Sequence, residues 1–341
     1  MMTAKPTSPI DVIELVRGNC VTDTLHVAAE LRIPDLLAAG PRSVEDLARE
    51  TSTHAPSLRR LLRGLAVIGI CEENVAGAWE LTPAGQWLRS DVPGSLRDWV
   101  IFWSRFCAPA WKSLLDCVRT GKTAVKLRSG SETFDSVSAD PKVAEIFNRG
   151  MVALTAHVSE AVITAYDFSR FRTIADVGGG YGALLAAILK ANPSCRGILF
   201  DLPHAAEGAR QHLEKAGVAD RATVGTGSFF ESIPSGADAY VFKSIIHDWD
   251  DDRSVAILRN CRRAIGRDGK LLLVERVMPS RTTDARQSSA TVWSDLNMLV
   301  AAGGAERTEA EYAALLREAG FSLARVVPTG ALFSIVEGVP V

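Results

Sequence analysis

The sequence lacks the features that mark secreted, membrane and nucleic-acid-binding proteins. Its six cysteines, at positions 20, 71, 107, 117, 195 and 261, never form a C-x-x-C pair, so neither a zinc site nor a disulfide framework is expected. No apolar run approaches the roughly 20 residues that cross a bilayer, and residues 1–9 lack a basic segment followed by an apolar one. The 38 basic and 40 acidic side chains nearly cancel, which disfavours nucleic acid as the main partner. We therefore expect a cytoplasmic protein with reduced, packed thiols.

The chain has 341 residues, 47% of them hydrophobic, which suffices for two domains with their own cores. The spacing of apolar residues changes near residue 170. Before it, they recur at helical intervals. After it, short aliphatic runs alternate with amphipathic helices, which is typical of a mostly parallel sheet. We predict strands at Thr173–Val177, Gly197–Asp201, Ala222–Val224, Ala239–Lys243, Lys270–Glu275, Ser322–Pro328 and Ala331–Glu337.

The N-terminal part predicts a winged helix. A capping-box start at Ser43–Asp46 opens one short helix, Ser57–Ile68 forms a second, and two alternating runs within Ile70–Leu81 predict a β-hairpin wing. DNA binding is the obvious alternative, because the second helix carries three arginines that could touch phosphates: Arg59, Arg60 and Arg63. The balanced charge of the chain and the leucine stripe on the same helix disfavour that role.

A predicted strand runs directly into a glycine-rich turn and then into a helix. The segment Thr173–Gly182 has four glycines in its last five positions, and the predicted helix Ala183–Ala191 follows. Glycines there allow a sharp turn and a close approach of the backbone to a ligand at the helix N-terminus. Gly178, Gly180 and the first residue of that helix satisfy the dinucleotide fingerprint, and Asp201 ends the next strand, where an acid suits ribose hydroxyls. From these residues alone, NAD and other adenosine cofactors fit equally.

The acid just before the glycines separates these readings. The form Asp176-Val-Gly-Gly-Gly-x-Gly182 resembles motif I of S-adenosylmethionine-dependent methyltransferases. Nearly the whole chain resembles the small-molecule O-methyltransferases that include the caffeic acid, hydroxyindole and bacterial natural-product enzymes. The resemblance implies a Rossmann-like, mostly parallel α/β sheet with an antiparallel C-terminal hairpin and a helical, winged-helix domain that forms a homodimer. It implies a dimerisation domain over 1–100, a helical linker and substrate lid over 101–168, and a catalytic domain over 169–341.

The segment Ile245–Asp250 follows the fourth predicted strand, at the edge where open α/β sheets bind ligands. Its H-D-W context resembles the catalytic histidine of the family, which makes His247 the general base. An imidazole with a pKa near ~6.5 can take a phenolic proton. By residue type alone, Glu275 and Glu306 fit a solvated strand end and a neighbour of a helix N-cap. The resemblance assigns both to orienting His247 and stabilising its imidazolium, and places Asp248 in support of the loop and the cofactor.

The resemblance also assigns residues to S-adenosylmethionine, whose product is S-adenosylhomocysteine. It carries over six positions for cofactor binding: Asp176, Gly178, Gly180, Asp201, Leu202 and Lys243. The segment Gly227–Phe230 departs from the family, which has an aspartate that bonds the adenine amino group where this chain has Ser228. Ser228 can accept a hydrogen bond but lacks the charge and reach of aspartate, while Phe229 can still stack on adenine. We expect cofactor binding to be retained but weakened.

Substrate contacts are less readable, since methionines and aromatic residues at helical spacing also build cores. The family's pocket draws on the helix that holds Phe147–Met151 and on the segment Trp293–Val300, and such pockets are apolar and aromatic. The resemblance therefore implies six candidates: Trp103, Phe106, Met151, Asp295, Asn297 and Met298. The sequence thus predicts methylation of a phenolic or enolic hydroxyl of an aromatic secondary metabolite, without a metal, nucleic acid or membrane. One alternative is a family member with non-methylating, cofactor-assisted chemistry, such as a decarboxylase, hydroxylase or pericyclase. A winged-helix transcription regulator and an NAD-dependent dehydrogenase are the others.

Overall fold

The computed structural model describes residues 6–281 and 289–341, so residues 1–5 of the predicted 1–100 domain lie outside the described residues. The chain forms two compact units, Met1–Phe106 and Cys107–Val341. We keep the finer division into 1–100, 101–168 and 169–341 as a proposal. Within the described ranges, no helix is long and apolar enough to cross a membrane.

The N-terminal unit is helical and carries one short hairpin. Its elements are α1 (Pro9–Val16), α2 (Gly18–Glu30), α3 (Ile33–Leu37), α4 (Val44–Thr51), α5 (Ala55–Val67), β1 (Cys71–Glu73), β2 (Trp79–Leu81) and α6 (Arg97–Phe102). Short turns of other helix types cover Gly85–Leu88 and Trp103–Cys107.

The predicted winged helix corresponds to α4, α5 and the β1–β2 hairpin. Ser43 caps α4 by accepting from the backbone N–H of Asp46. The second helix begins two residues earlier than predicted, because Pro56 is tolerated in a first helical turn. Buried side chains of α4, α5 and the hairpin, among them Leu47, Leu62 and Trp79, form one apolar cluster.

The C-terminal unit is a layered α/β structure. Its helices are α7 (Ala108–Trp111), α8 (Leu114–Thr120), α9 (Ala124–Ser129), α10 (Thr133–Ala139), α11 (Pro141–Ala165), α12 (Ala183–Ala191), α13 (Ala206–Lys215), α14 (Asp251–Ala264), α15 (Ser289–Asn297) and α16 (Glu309–Glu318). Its strands are β3 (Thr173–Val177), β4 (Arg196–Asp201), β5 (Ala222–Thr226), β6 (Ala239–Lys243), β7 (Lys270–Glu275), β8 (Val277–Met278), β9 (Arg307–Thr308), β10 (Phe321–Pro328) and β11 (Ser334–Pro340).

Seven strands form the main sheet in the order β10-β11-β7-β6-β3-β4-β5. Strands β3 to β7 pair in parallel, whereas β11 runs antiparallel to both β7 and β10. Alternate residues of a strand point to opposite faces, and both faces are covered here. Ile174, Val241 and Leu272 pack into the apolar cluster on one face, while Tyr240 and Phe242 pack into the cluster on the other. The predicted fold class is confirmed.

Several strand boundaries differ from prediction. Strand β4 and strand β10 each begin one residue earlier, and β5 continues to Thr226. The last strand was predicted at Ala331–Glu337, which is wrong at both ends, because it spans Ser334–Pro340. Residues 329–333 form a tight turn instead, in which Thr329 Oγ1 donates to the Phe333 carbonyl and Gly330 has a φ of 74°.

Candidate active site

The carboxyl ends of the central parallel strands surround a cavity of about 240 Å³. All eight residues predicted to bind the cofactor line it: Asp176, Gly178, Gly180, Asp201, Leu202, Ser228, Phe229 and Lys243. Strands β3, β4 and β6 supply most of them from their ends, which is where ligands bind in open α/β sheets.

The glycine turn after β3 is shaped for close contact with a ligand. Gly178 and Gly180 have φ values of 70° and 57°, a region that side chains disfavour. A Cβ on Gly178 would lie 2.5 Å from Ile245 Cδ1. Asp201 holds the turn from the neighbouring strand, since its Oδ2 accepts from the Gly180 N–H at 2.6 Å. The backbone itself is therefore a wall of the cavity.

Asp176 is a buried acid that needs a partner. Only 2% of its surface is exposed, and among the described residues neither carboxylate oxygen has a hydrogen-bond partner. Burial, with a smaller effect of the nearby Asp201, raises the pKa of Asp176 to about 7. Burial also lowers the pKa of Lys243 to about 8. A buried carboxyl group such as that of Asp176 is stabilised by a polar or cationic ligand.

Aromatic rings form another part of the cavity wall. Phe229 and Phe230 meet edge to face, and Phe230 packs edge to face on Trp249 with centroids 4.8 Å apart. Phe134 of α10 lies 5.3 Å from the Trp249 ring. Ser228 is held in this wall by accepting from the Phe230 N–H at 3.2 Å. The wall can stack a planar ring, as predicted for Phe229.

His247 lies in the 3₁₀ turn Ile246–Asp248, shortly after β6. Its Nδ1 lies 3.2 Å from Glu275 Oε2 and 3.0 Å from Glu306 Oε1, and all three side chains are buried. Nε2, on the other side of the ring, is 3.6 Å from Asp248 Oδ1. Glu275 ends β7 and Glu306 directly precedes β9, so two distant segments bring their carboxylates to one imidazole nitrogen. The structure therefore brings the three predicted catalytic residues together.

The electrostatics of this cluster favour an imidazolium. Burial by itself lowers the pKa of His247, but Glu275, Glu306 and Asp248 outweigh it and raise the pKa to about 9. Burial raises the pKa of Glu275, against the opposing effect of His247. Burial also works against the charge of Glu306, but His247 and a hydrogen bond from Ser294 prevail and lower its pKa. Glu306 is thus more readily ionised than Glu275.

Two residues that support Glu306 were not predicted from the sequence. Ser294 Oγ donates to Glu306 Oε1 at 2.6 Å, and Arg276 Nη1 lies 3.8 Å from the same oxygen. A signal for Arg276 was available, because an acid followed by a base at the end of the buried apolar strand β7 is unusual. Ser294 gave no such signal.

Asp248 lines the cavity, whereas His247 is absent from the described residues that line it. Burial raises the pKa of Asp248 to about 7, with His247 opposing the rise. Asp248 thus lies at the cavity, and its predicted support of the loop and the cofactor stays a prediction.

The predicted substrate residues are scattered. Met151 lines the cavity from α11. Asp295 Oδ1 instead accepts from the Glu306 N–H at 2.9 Å, and Asn297 Oδ1 accepts from Trp111 Nε1 at 3.0 Å. Met298 is buried next to Asn297. Substrate contact by these last three residues stays a prediction.

Trp103 and Phe106 belong to the N-terminal unit, in which Trp103 packs against Trp99 and Phe106 against Phe102. The described residues that line the cavity all belong to the C-terminal unit. A role of the two aromatic residues in the substrate site remains a prediction.

One face of α11 contributes more to the cavity than the sequence analysis proposed. Besides Met151, the side chains of Asn148, Val152 and Thr155 line it. These positions are three or four residues apart and so lie on one side of a helix. Asn148 and Thr155 are buried polar residues on this face, but the sequence does not show that the face lies at the glycine turn.

Comparisons with known proteins agree with this architecture. The family model of the O-methyltransferase domain matches residues 111–322, and that of the O-methyltransferase dimerisation domain matches residues 13–91. The chain is 43% identical to the phenazine O-methyltransferase PhzM of Lysobacter antibioticus over 99% of this chain and 98% of that protein. It is 37% identical to the aclacinomycin 10-hydroxylase RdmB of Streptomyces purpurascens over 96% of this chain and 90% of that protein.

A solved structure adds information on ligands. The chain resembles the O-methyltransferase NcsB1 from neocarzinostatin biosynthesis, with a TM-score of 0.78 and 34% identity over 94% of this chain and 96% of that chain. That structure is a complex with S-adenosylmethionine and 2-hydroxy-5-methyl naphthoic acid.

Proposed function

The chain belongs to the family of S-adenosylmethionine-dependent O-methyltransferases of secondary metabolism, and from this premise we propose that it methylates a phenolic or enolic hydroxyl of an aromatic metabolite with His247 as general base. The observation that carries the proposal is the pair of buried glutamates at Nδ1 of His247, which leaves Nε2 for a substrate proton.

The cavity residues fit S-adenosylmethionine, which supplies an electrophilic methyl group on a positively charged sulfur. The unpartnered carboxylate of Asp176 offers two acceptors and a negative charge to the methionine end. Gly178 and Gly180 let the backbone approach closely, Asp201 suits ribose hydroxyls, and Phe229 offers a face to adenine. The glycine turn by itself would also fit a pyrophosphate, but no arginine that could pair with one is among the described residues that line the cavity.

The proton transfer follows from the orientation of the imidazole. Nε2 takes the hydroxyl proton of the substrate, and the oxygen becomes the nucleophile. The imidazolium formed in this step is stabilised by Glu306 and Glu275 at Nδ1. Because the cluster raises the pKa of His247 to about 9, the free site is mostly protonated at neutral pH. Only the neutral imidazole accepts a proton, so the rate of methyl transfer should rise with pH up to about 9.

We also propose that the chain forms a homodimer through its N-terminal unit. Residues 13–91 match the dimerisation-domain model. Helix α1 has no buried residue, and its apolar side chains are exposed: Ile10, Val12, Ile13, Leu15 and Val16. Apolar side chains exposed in this number along a single helix favour an interface. Light scattering should give twice the chain mass, and a monomer would contradict the proposal.

The test of the general base is His247→Ala. Planar hydroxylated aromatics are screened with labelled S-adenosylmethionine, and the products are followed by mass. We expect methyl transfer to fall by about 10²–10⁴-fold, the usual contribution of a general base. His54→Ala is the matched control, because His54 is an exposed histidine of the N-terminal unit. Activity of His247→Ala within a few-fold of wild type would refute the assignment.

The cofactor is tested separately by calorimetry. S-adenosylhomocysteine should bind to wild type and to His247→Ala alike, because His247 does not line the cavity described above. Binding of NADH but not of S-adenosylhomocysteine would overturn the cofactor assignment.

A second candidate function is cofactor-assisted chemistry without methyl transfer. The observation that favours it is the 37% identity to a relative named as a hydroxylase, together with Ser228 in place of the family's aspartate. Product mass separates the two, because a methyl group and an oxygen atom add different masses. The intact cluster of His247, Glu275 and Glu306 supports the methyltransferase.

A further inference from the structure

The segment Gly304–Arg307 lies directly against the turn that carries His247. A Cβ on Gly304 would lie 2.1 Å from the His247 carbonyl oxygen and 2.4 Å from the Trp249 nitrogen. Real Cβ atoms do not approach backbone so closely, so this position requires glycine for reasons of space. The two backbones are in contact, and a shift of one segment moves the other.

The Arg307 side chain donates two hydrogen bonds to the backbone of the same turn. Nη1 donates to the Ile246 carbonyl at 2.9 Å, and Nη2 donates to the Trp249 carbonyl at 2.7 Å. These two carbonyls lie on either side of His247 in the chain. The guanidinium is buried, and Asp251 balances its charge through an oxygen 2.9 Å from Nε. Arginine suits this place because its rigid fork can donate to several acceptors at once.

Glu275 binds the backbone of the same turn as a hydrogen-bond acceptor, whereas Arg307 binds it as a donor. Its Oε1 accepts from the N–H groups of Ile245 and Ile246 at 2.9 and 2.8 Å, while its Oε2 faces His247 Nδ1. The donors of the turn therefore bind Glu275, and its carbonyls bind Arg307. Glu306, the other carboxylate at Nδ1, is the chain neighbour of Arg307, so one short segment sets both the place of the turn and the place of that carboxylate.

We propose that Arg307, seated by Gly304, is a positioning residue that fixes the distance between His247 and Glu306 and thereby the strength of the general base. This proposal rests on the proposed function of His247. In this proposal Arg307 contacts neither the substrate nor the cofactor. Arg307 acts on His247 through the backbone of the turn. Loss of its grip lets the turn move away from Glu306, which weakens the ion pair and misorients Nε2.

The test compares Arg307→Lys and Arg307→Met with Arg221→Met. Arg221 is a matched control, since it also donates to backbone carbonyls, those of Leu189, Asn192 and Cys195, but away from the His247 turn. We expect kcat to fall about 10–100-fold in Arg307→Met, the cost of misplacing a catalytic group by roughly 1 Å. The kcat of Arg307→Lys should lie between the values of wild type and Arg307→Met, because one ammonium group cannot bind both carbonyls and Asp251 at once. The KM for S-adenosylmethionine and the affinity for S-adenosylhomocysteine should stay within about twofold of wild type, because Arg307 does not line the cavity.

A readout without activity keeps the two proposals apart. The titration of His247 is followed by NMR of histidine-labelled enzyme with S-adenosylhomocysteine bound, and its midpoint should fall in both Arg307 variants but not in Arg221→Met. An unchanged midpoint and unchanged kcat would overturn the positioning role while leaving His247 as base. Where Arg307→Met does not fold, the midpoint of Arg307→Lys decides. Activity retained by His247→Ala would instead overturn the proposed function, whatever the Arg307 variants show.

Discussion

Replacement of Glu306 by glutamine is the sharpest test of the electrostatics around His247. Glu306→Gln keeps the size of the side chain but removes a negative charge whose oxygen lies 3.0 Å from Nδ1. At an effective dielectric constant of about 20, two unit charges roughly 4 Å apart interact by about 4 kcal/mol. Each unit of pKa corresponds to about 1.4 kcal/mol. The pKa of His247 should therefore fall by at most about 3 units in Glu306→Gln.

The expected fall is smaller than this limit. The charge of Glu306 is spread over two oxygens and is shared with Ser294 and Arg276. We therefore expect about half of the limit, a fall of roughly 1.5 units. The pKa of His247 would move from about 9 in wild type towards the ordinary range of an imidazole. The acid limb of the rate profile should move to lower pH by the same amount.

The assay is an NMR titration of the histidines with S-adenosylhomocysteine bound, which needs no substrate. The chain has six histidines, and the signal that disappears in His247→Gln identifies His247. Glu318→Gln is the control, because Glu318 is an exposed acid that pairs with Arg259. A wild-type midpoint near the ordinary value, or an equal midpoint in Glu306→Gln, would refute the reasoning.

Three further predictions concern the cavity and stability. Gly178→Ala should abolish binding of S-adenosylhomocysteine in calorimetry, because its φ of 70° and its approach to Ile245 leave no room for Cβ; wild-type affinity would contradict this. Ser228→Asp should tighten that binding by about 1 kcal/mol, the gain from a charge-assisted hydrogen bond, and an unchanged affinity would show that the position does not contact adenine. Because the pKa of His247 is raised in the folded state, its imidazolium stabilises the fold by about 3 kcal/mol below about pH 6.5. This stabilisation is lost as the pH rises through about 9. Thermal melts of wild type and His247→Gln should therefore converge over that window, and parallel curves would count against a buried imidazolium.

The parallel part of the sheet was readable because its signal is local. The strands β3, β6 and β7 have the predicted ends, since each is a short apolar run bounded by turn-forming residues. The last strand was misplaced because Leu332 and Phe333 continue an apolar pattern through a turn that Gly330 and Thr329 create. Apolar patterning alone does not show where the backbone reverses.

The lining of the proposed cofactor cavity was predictable from the sequence for a related reason. Its glycines and acids lie at the ends of predicted strands, and the ends of parallel strands meet at one edge of a sheet. The contribution of the α11 face with Asn148 and Thr155 was not predictable from the sequence, because the distance of this face from the glycine turn depends on how the helix packs. Asp295 and Asn297 were candidates by residue type, but their hydrogen bonds go to Glu306 and Trp111.

Local sequence patterns are enough to predict the succession of strands and helices along the chain, the glycine turn after β3 and the chemical groups available to the site. These follow from backbone sterics and from periodic burial, which neighbouring residues encode. The packing of the fold, in contrast, is needed to bring Glu275 and Glu306 to one nitrogen of His247 and the Arg307 side chain to the carbonyls of the same turn. Such contacts join segments far apart in the chain, so they exist only once the sheet and its helices have packed and excluded water. That exclusion of water lets the buried carboxylates raise the pKa of His247.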